Sequence, residues 1–231
     1  MITVFLALWL AYTGHALYRN VTARGTGSAV GHILQLGLVI LAIWWAFQAG
    51  LFTRALWSPL DITLGLVLGH LLFGVSLFIT HRHVGDVARH FVDARGMVAF
   101  VKATPELMVR FAGVCVIEEL VYRAGAQDML MHRTGSPFVA IVVTALCFCV
   151  LHQHFFQNGW ACALEFLLFS LIIGMVYYHT YSLTIVTLAH LIRNVESAYL
   201  EYCVLREENN DHEEALRILS ARNASPALES P

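Results

Sequence analysis

Long apolar runs restrict this chain to helices that sit in a lipid bilayer. About 20 consecutive apolar residues cross the hydrocarbon as an α-helix, and residues 29–52 and 60–80 are runs of this kind. Of the 231 residues, 58% are hydrophobic and only 13% are charged, whereas a soluble domain has roughly 25% charged residues. The sequence therefore predicts an all-α fold, a polytopic helical bundle embedded in a membrane.

The apolar runs and the turns between them predict seven transmembrane helices. They cover residues 1–18, 29–52, 60–80, 105–131, 137–154, 160–178 and 180–205. The four Lys and Arg side chains among apolar residues in the segment 81–104 predict an amphipathic stretch at the membrane surface. These basic residues also place that segment in the cytoplasm, so the N-terminus is expected outside and the C-terminus in the cytoplasm. Residues 1–205 are expected to form one transmembrane domain, followed by a polar, flexible tail over 206–231.

Composition and residue spacing argue against nucleic-acid binding, a disulfide framework and a Cys/His metal cluster. The formal net charge is −2 and no basic stripe is present, so nucleic acid is not an expected partner. Five cysteines, all in apolar segments, do not form a disulfide framework. Cys147, Cys149, His152 and His154 are residue types that bind metals. Residues i and i+2 of one helix point about 200° apart, however, so a single helix cannot bring all four side chains together. We therefore interpret the cysteines as small apolar packing residues.

Two adjacent acids and a basic residue interrupt the fourth apolar run. Glu118, Glu119 and Arg123 lie in the sequence VIEELVYR, where the neighbours are apolar. Ionisable groups at membrane depth cost several kcal/mol each on insertion scales, so they mark functional sites by default. The alternative is an ion pair between Glu119 and Arg123, which are four residues apart. The local sequence leaves both interpretations open.

Polar residues on two later helices favour a site. His152 follows Phe148 by four residues, and Asn194 follows His190 by the same spacing, which puts each pair on one helix face. Together with Glu118, these side chains from separate helices can converge in one buried cavity. Such a set can activate a water molecule and hold a developing oxyanion.

Three motifs in this order carry a family resemblance: EExxxR at 118–123, FxxxH at 148–152 and HxxxN at 190–194. The chain resembles the CAAX-protease and bacteriocin-processing family of intramembrane glutamic endopeptidases over residues 105–202. The resemblance implies that Glu118 is the general base that activates water and that His152 assists it. It implies that His190 and Asn194 stabilise the tetrahedral oxyanion.

The resemblance also implies that further residues hold the catalytic groups in place and that the reaction needs no metal. Glu119 and Arg123 would set the geometry of the site, with Phe148 of the second motif beside them. No cofactor is expected. Zinc is the alternative, because Glu and His ligands from three helices can hold it, although neither HExxH nor CxxC is present.

The expected protein is thus an intramembrane protease (a peptide hydrolase) whose partners are the lipid bilayer and a membrane-anchored peptide or protein substrate. A bacterial plasma membrane is the expected location, and the substrate would be a C-terminal sorting tag or a peptide precursor. Two alternatives stay open: a proton-coupled membrane transporter, since buried acids and histidines also suit a proton relay, and a non-catalytic, immunity-type membrane protein. Glu165 is expected either to pair with Arg193 or to mark a substrate path.

Overall fold

The computed structural model describes residues 1–22, 28–52, 58–80, 85, 88 and 92–224. These residues form helices connected by short turns, and no strand occurs among them. The N-terminal half contains α1 (Ile2–Val21), α2 (Ala29–Gln48), α3 (Pro59–Thr80) and α4 (Ala94–Ala103). A long central helix follows as α5 (Pro105–Glu119), a π-helix (Leu120–Gln127) and α6 (Asp128–Thr134). The remaining helices are α7 (Pro137–Leu151), α8 (His154–Gln157), α9 (Gly159–Thr180), α10 (Leu183–Asn209) and α11 (His212–Ala224).

The expected all-α helical bundle is confirmed. Within the described residues, α2, α3 and α9 are long and apolar enough to cross a membrane, and α7 is a shorter apolar helix. The other predicted spans are helical, but the count of seven transmembrane helices stays a prediction. Of the predicted amphipathic segment, residues 81–84, 86–87 and 89–91 lie outside the described residues. Its remainder contains α4, which buries Phe100 and exposes Arg95 and Lys102.

The largest apolar core surrounds the π-helix. All eight residues from Leu120 to Gln127 are buried, and Phe5 and Trp9 of α1 and Leu38 and Ala42 of α2 belong to the same core. A π-helix is rare, occurs mostly as a single turn, and is frequent at functional sites. Here it begins directly after Glu119, so the local backbone change coincides with the acidic pair.

Close packing of α3 against α10 positions the third motif. A Cβ atom at Gly69 would lie 2.7 Å from the carbonyl oxygen of Ala189 and 2.7 Å from the Cβ of Ile192. Gly65, one turn earlier, approaches Leu188 as closely, at 2.8 Å. Small residues four apart let helices come into backbone contact. The α10 segment that carries His190 is therefore held tightly against α3.

Part of the predicted flexible tail is an ordered helix instead. Ala215 and Leu219 of α11 are fully buried in a second core with α4 and α10, and Arg110 of α5 donates to the carbonyl oxygen of Asn223 at 2.8 Å. The tail was expected to be flexible because its composition is polar. Four apolar residues of α11 pack in this core and dock the helix on α10: Ala215, Leu216, Ile218 and Leu219. Residues 225–231 of the tail lie outside the described residues.

Candidate active site

The two adjacent acids have different surroundings. Glu119 is fully buried; it accepts a hydrogen bond from Arg123 Nε at 3.1 Å and lies 2.8 Å from His190 Nδ1. Arg123 is also fully buried and donates through Nη2 to Ser170 at 3.2 Å. Each carboxylate oxygen of Glu119 thus has one close partner, and the expected i,i+4 pairing with Arg123 is present.

Glu118 keeps an accessible carboxylate. Its side chain is 21% exposed. His152 Nε2 lies 3.6 Å from its Oε1 and His190 Nε2 lies 3.8 Å from its Oε2. These separations are within ion-pair range but too long for hydrogen bonds. The carboxylate of Glu118 can therefore accept a proton or bind a water molecule without first breaking a tight contact.

His152 sits just beyond the end of α7, not inside a helix. The prediction of a helix over 137–154 is wrong at this point, because α7 ends at Leu151 and His152 has an extended backbone (φ −96°, ψ 118°). Asn20 of α1 accounts for the termination. Its side-chain amide donates to the carbonyl oxygens of Val150 and Leu151 at 3.0 Å each, which satisfies carbonyls that a helix end leaves without partners.

Hydrogen bonds fix the tautomers of both histidines. His152 Nδ1 lies 2.9 Å from the carbonyl oxygen of Phe148, and a carbonyl only accepts, so Nδ1 carries the proton. His190 Nδ1 faces the ion-paired carboxylate of Glu119, and the same reasoning protonates Nδ1 there. Both rings consequently direct Nε2 toward Glu118.

Asn194 lies on the same face of α10 as His190, as its spacing predicts, but its amide has another partner. Nδ2 donates to Cys115 Sγ at 3.5 Å, one turn before Glu119 on α5. The structure brings Glu118, His152 and His190 together. It places Asn194 on the adjoining α5–α10 contact.

Phe148 packs between the two histidines. Its ring centroid lies 4.7 Å from that of His152 and 6.1 Å from that of His190, and the Arg123 guanidinium lies 5.6 Å from the ring centroid. This ring fills the space behind the site, so the histidines cannot tilt away from Glu118 without displacing it.

A cavity of about 230 Å³ opens beside Glu118 and His152. Its opposite wall comes from α1 and α2 and includes polar side chains that sequence reasoning did not connect with the site: Tyr12, His15, His32 and Gln35. The sequence does contain a pattern that indicates these four residues. Each helix has two polar residues three apart within an apolar run, which puts them on one face.

No alternative metal cluster is visible in the part of the chain that the structure describes. There, no group of three or more His, Cys, Asp or Glu side chains is arranged to hold a metal ion, and Cys147 and Cys149 are free. Among the described residues, the Nε2 atoms of His152 and His190 lie 3.6 and 3.8 Å from the carboxylate of Glu118, so these three side chains face one another. They are therefore the residues on which a test for zinc has to focus.

The expected pairing of Glu165 with Arg193 is confirmed. Arg193 Nη2 donates to both carboxylate oxygens of Glu165, at 2.7 and 2.8 Å. The pair connects α9 with α10 beside the histidines.

One known family matches the part of the chain that carries the site residues. Residues 100–195 match the family described as type II CAAX prenyl endopeptidase Rce1-like. The match covers less than half of the 231 residues but includes all three motifs. It confirms the resemblance to the CAAX-protease family. The apolar helices indicate a membrane-embedded protein. No curated protein and no solved structure matches the chain.

Proposed function

We propose that this protein is an intramembrane endopeptidase in which Glu118 activates water to hydrolyse a peptide bond. The observation that carries the proposal is the convergence of Glu118 from α5, His152 from the turn after α7 and His190 from α10, with Glu118 and His152 lining a cavity. A buried acid that only stabilised the fold would have close partners. Glu119 has such partners at 2.8 and 3.1 Å, whereas the histidines that face Glu118 lie farther away, at 3.6 and 3.8 Å.

In the proposed reaction, Glu118 accepts a proton from water while the water oxygen attacks the carbonyl carbon of the substrate. His152, held in its Nδ1–H tautomer, directs Nε2 to the same water. The tetrahedral intermediate then collapses, the C–N bond breaks, and Glu118 returns its proton to the leaving amine. General acid–base catalysis of this kind contributes about 10²- to 10⁴-fold in rate.

His190 is suited to stabilise the oxyanion. In this role His190 carries both ring protons, so that Nδ1–H donates to the Glu119 carboxylate 2.8 Å away and Nε2–H is directed into the site. Asn194 would provide the second donor after its amide leaves Cys115. Arg123 neutralises Glu119 and keeps its carboxylate in place. The Glu119–Arg123 pair thus holds His190 in position and does not take part in proton transfer.

The size of the cavity limits the substrate. About 230 Å³ is smaller than the pockets of roughly 300–1,000 Å³ that hold drug-sized ligands. A short extended stretch of peptide fits this space, and a folded domain does not. We therefore propose a membrane-anchored substrate that is cleaved near an unstructured terminus, as in a C-terminal sorting tag or a peptide precursor.

The proposed location is the bacterial plasma membrane, with the N-terminus outside and the C-terminus in the cytoplasm. The basic residues before α5 support this orientation through the positive-inside rule. A C-terminal green fluorescent protein fusion should fluoresce, and a C-terminal alkaline phosphatase fusion should be inactive. The reverse pattern would overturn the orientation.

Purified protein in lipid nanodiscs tests the activity. The probe is an internally quenched peptide with a membrane-anchoring farnesyl group and a C-terminal CAAX sequence, because the matching family is described as a CAAX prenyl endopeptidase. Mass spectrometry of both products locates the cleaved bond. Wild-type protein should cleave the probe, and Glu118→Gln and His152→Ala should reduce the rate at least about 100-fold while inserting normally. Full activity in both variants would refute the proposed mechanism.

A further inference from the structure

A buried ion pair next to the site has no part in the reaction described above. Glu165 is 7% exposed, and the side chain of Arg193 is 12% exposed. Glu165 lies in α9, one of the helices apolar enough to cross a membrane. Charges at such depth are costly and usually serve a function. An ion pair that only joined two helices could be replaced by apolar residues of similar volume at little cost.

The guanidinium of Arg193 rests on aromatic rings as well as on Glu165. Its carbon lies 4.5 Å from the ring centroid of Phe169 and 5.8 Å from that of Phe166. Both distances are within the range of cation–π contacts. The bidentate pairing with Glu165 holds the plane of the guanidinium, so the position of the cation over the rings is fixed from the other side.

Each of these rings contacts one of the two histidines beside Glu118. The ring of Phe166 packs edge to face on His152 at 4.7 Å between centroids. The ring of Phe169 packs on His190 at 5.1 Å. The two phenylalanines also stack on each other, with centroids 6.2 Å apart and an interplanar angle of 21°. A displacement of either ring therefore changes the position of a histidine.

We infer that Glu165 and Arg193 are positioning residues that orient His152 and His190 toward Glu118 through Phe166 and Phe169. The inference rests on the function proposed above for its effect on turnover, but the orientation itself does not depend on any substrate. The ion pair fixes the guanidinium, the guanidinium fixes the two rings, and the rings limit the tilt of the imidazoles. The reaction proposed above needs the Nε2 atom of His152 at the water and that of His190 at the oxyanion, and misplacement by about 1 Å can cost roughly 100-fold in rate.

The spectroscopic arm of the test needs no substrate. Protein labelled with ¹⁵N-histidine is reconstituted in nanodiscs, and His152→Gln and His190→Gln variants assign the two ring signals. Arg193→Gln and Glu165→Gln should shift the Nε2 signals of both histidines. The control is Glu196→Gln, which removes another buried carboxylate of α10, paired with His70 of α3 at 2.6 Å. Unchanged histidine signals in folded Arg193→Gln protein would overturn the inference.

The kinetic arm uses the farnesylated CAAX peptide. For each variant the rate is divided by the folded fraction, measured as the monodisperse peak in size-exclusion chromatography. Arg193→Gln should lower kcat about 10- to 100-fold with KM changed less than about threefold, because the histidines act in the transition state and not in substrate binding. Glu196→Gln should keep kcat near the wild-type value.

A charge-reversed pair separates positioning from simple pairing. In the double variant Glu165→Arg/Arg193→Glu the ion pair can re-form, but the guanidinium then starts from α9 instead of α10. Folding should recover relative to the single variants, and kcat should stay low. Recovery of wild-type kcat would overturn the inference, because pairing alone would then suffice. If the peptide is not cleaved by any variant but the histidine signals shift as expected, the proposed function fails and the positioning role stands.

Discussion

Replacing Glu118 or Glu119 by glutamine should affect two different quantities: the cleavage rate for Glu118 and the free energy of unfolding for Glu119. Glu119→Gln removes the charge that faces Arg123 at 3.1 Å and His190 at 2.8 Å, in a place where both Glu119 and Arg123 are fully buried. Breaking a buried ion pair from one side costs about 3–5 kcal/mol, because the remaining charge is left uncompensated. Glutamine can still accept one hydrogen bond, so we expect a loss near the lower end, about 3 kcal/mol.

Glu118→Gln removes a carboxylate that is partly exposed and has its histidine partners at 3.6 and 3.8 Å. A typical intramolecular polar contact contributes about 0.5–1.5 kcal/mol, so the free energy of unfolding should fall by about 1 kcal/mol, well below the loss expected for Glu119→Gln. Activity should fall at least about 100-fold, because the general base is lost.

The assay is denaturant-induced unfolding in mixed micelles, followed by tryptophan fluorescence, together with cleavage of the farnesylated peptide by the same preparations. The two variants differ by one position and by the same atom replacement, so each is the control for the other. Equal free energies of unfolding for the two variants would refute the structural role of Glu119. More than a tenth of the wild-type rate in Glu118→Gln protein would refute its role as the base.

Three other predictions concern the packing and chemistry of the site. Gly125→Ala should lower the free energy of unfolding by about 1–3 kcal/mol through overpacking, since the new Cβ would lie 2.6 Å from Phe5 Cζ. The control is Gly113→Ala, whose Cβ would have nothing within 4 Å and which should be neutral or stabilising in the same unfolding assay. Equal effects of the two variants would contradict the packing of α1 on the π-helix. Asn20→Ala should free the end of α7, cost about 1–3 kcal/mol, and lower kcat by displacing His152, whereas unchanged kcat would show that this end is held by other contacts. Exhaustive chelation should leave cleavage of the peptide intact, and a full loss that zinc restores would replace the glutamate mechanism with a zinc site at Glu118, His152 and His190.

The sequence predicted the parts of the structure that depend on local spacing. The i,i+4 distance between Glu119 and Arg123 is a property of any helix, so their pairing could be expected before the fold was known. His190 and Asn194 share a face for the same reason. The pairing of Glu165 with Arg193 was predictable on different grounds, because two opposite charges in an apolar bundle have few other partners.

Features that depend on tertiary packing were not predictable in this way. No local pattern indicates that the central helix widens into a π-helix after Glu119, and the end of α7 depends on Asn20, which is 130 residues earlier in the chain. The contribution of α1 and α2 to the cavity was missed because their polar residues were not considered together with the later motifs. The length of α11 and its docking on α10 were not predictable, because a polar composition conceals one apolar helix face.

The most direct test of the central claim compares peptide termini in the membranes of the native host. Cells lacking the gene are complemented with wild-type protein or with Glu118→Gln, and the N- and C-termini of membrane proteins are mapped by mass spectrometry. Hydrolysis by Glu118-activated water predicts a set of new termini that appears with the wild-type protein and is absent with Glu118→Gln at equal expression. Restoration of the same termini by Glu118→Gln would contradict the claim.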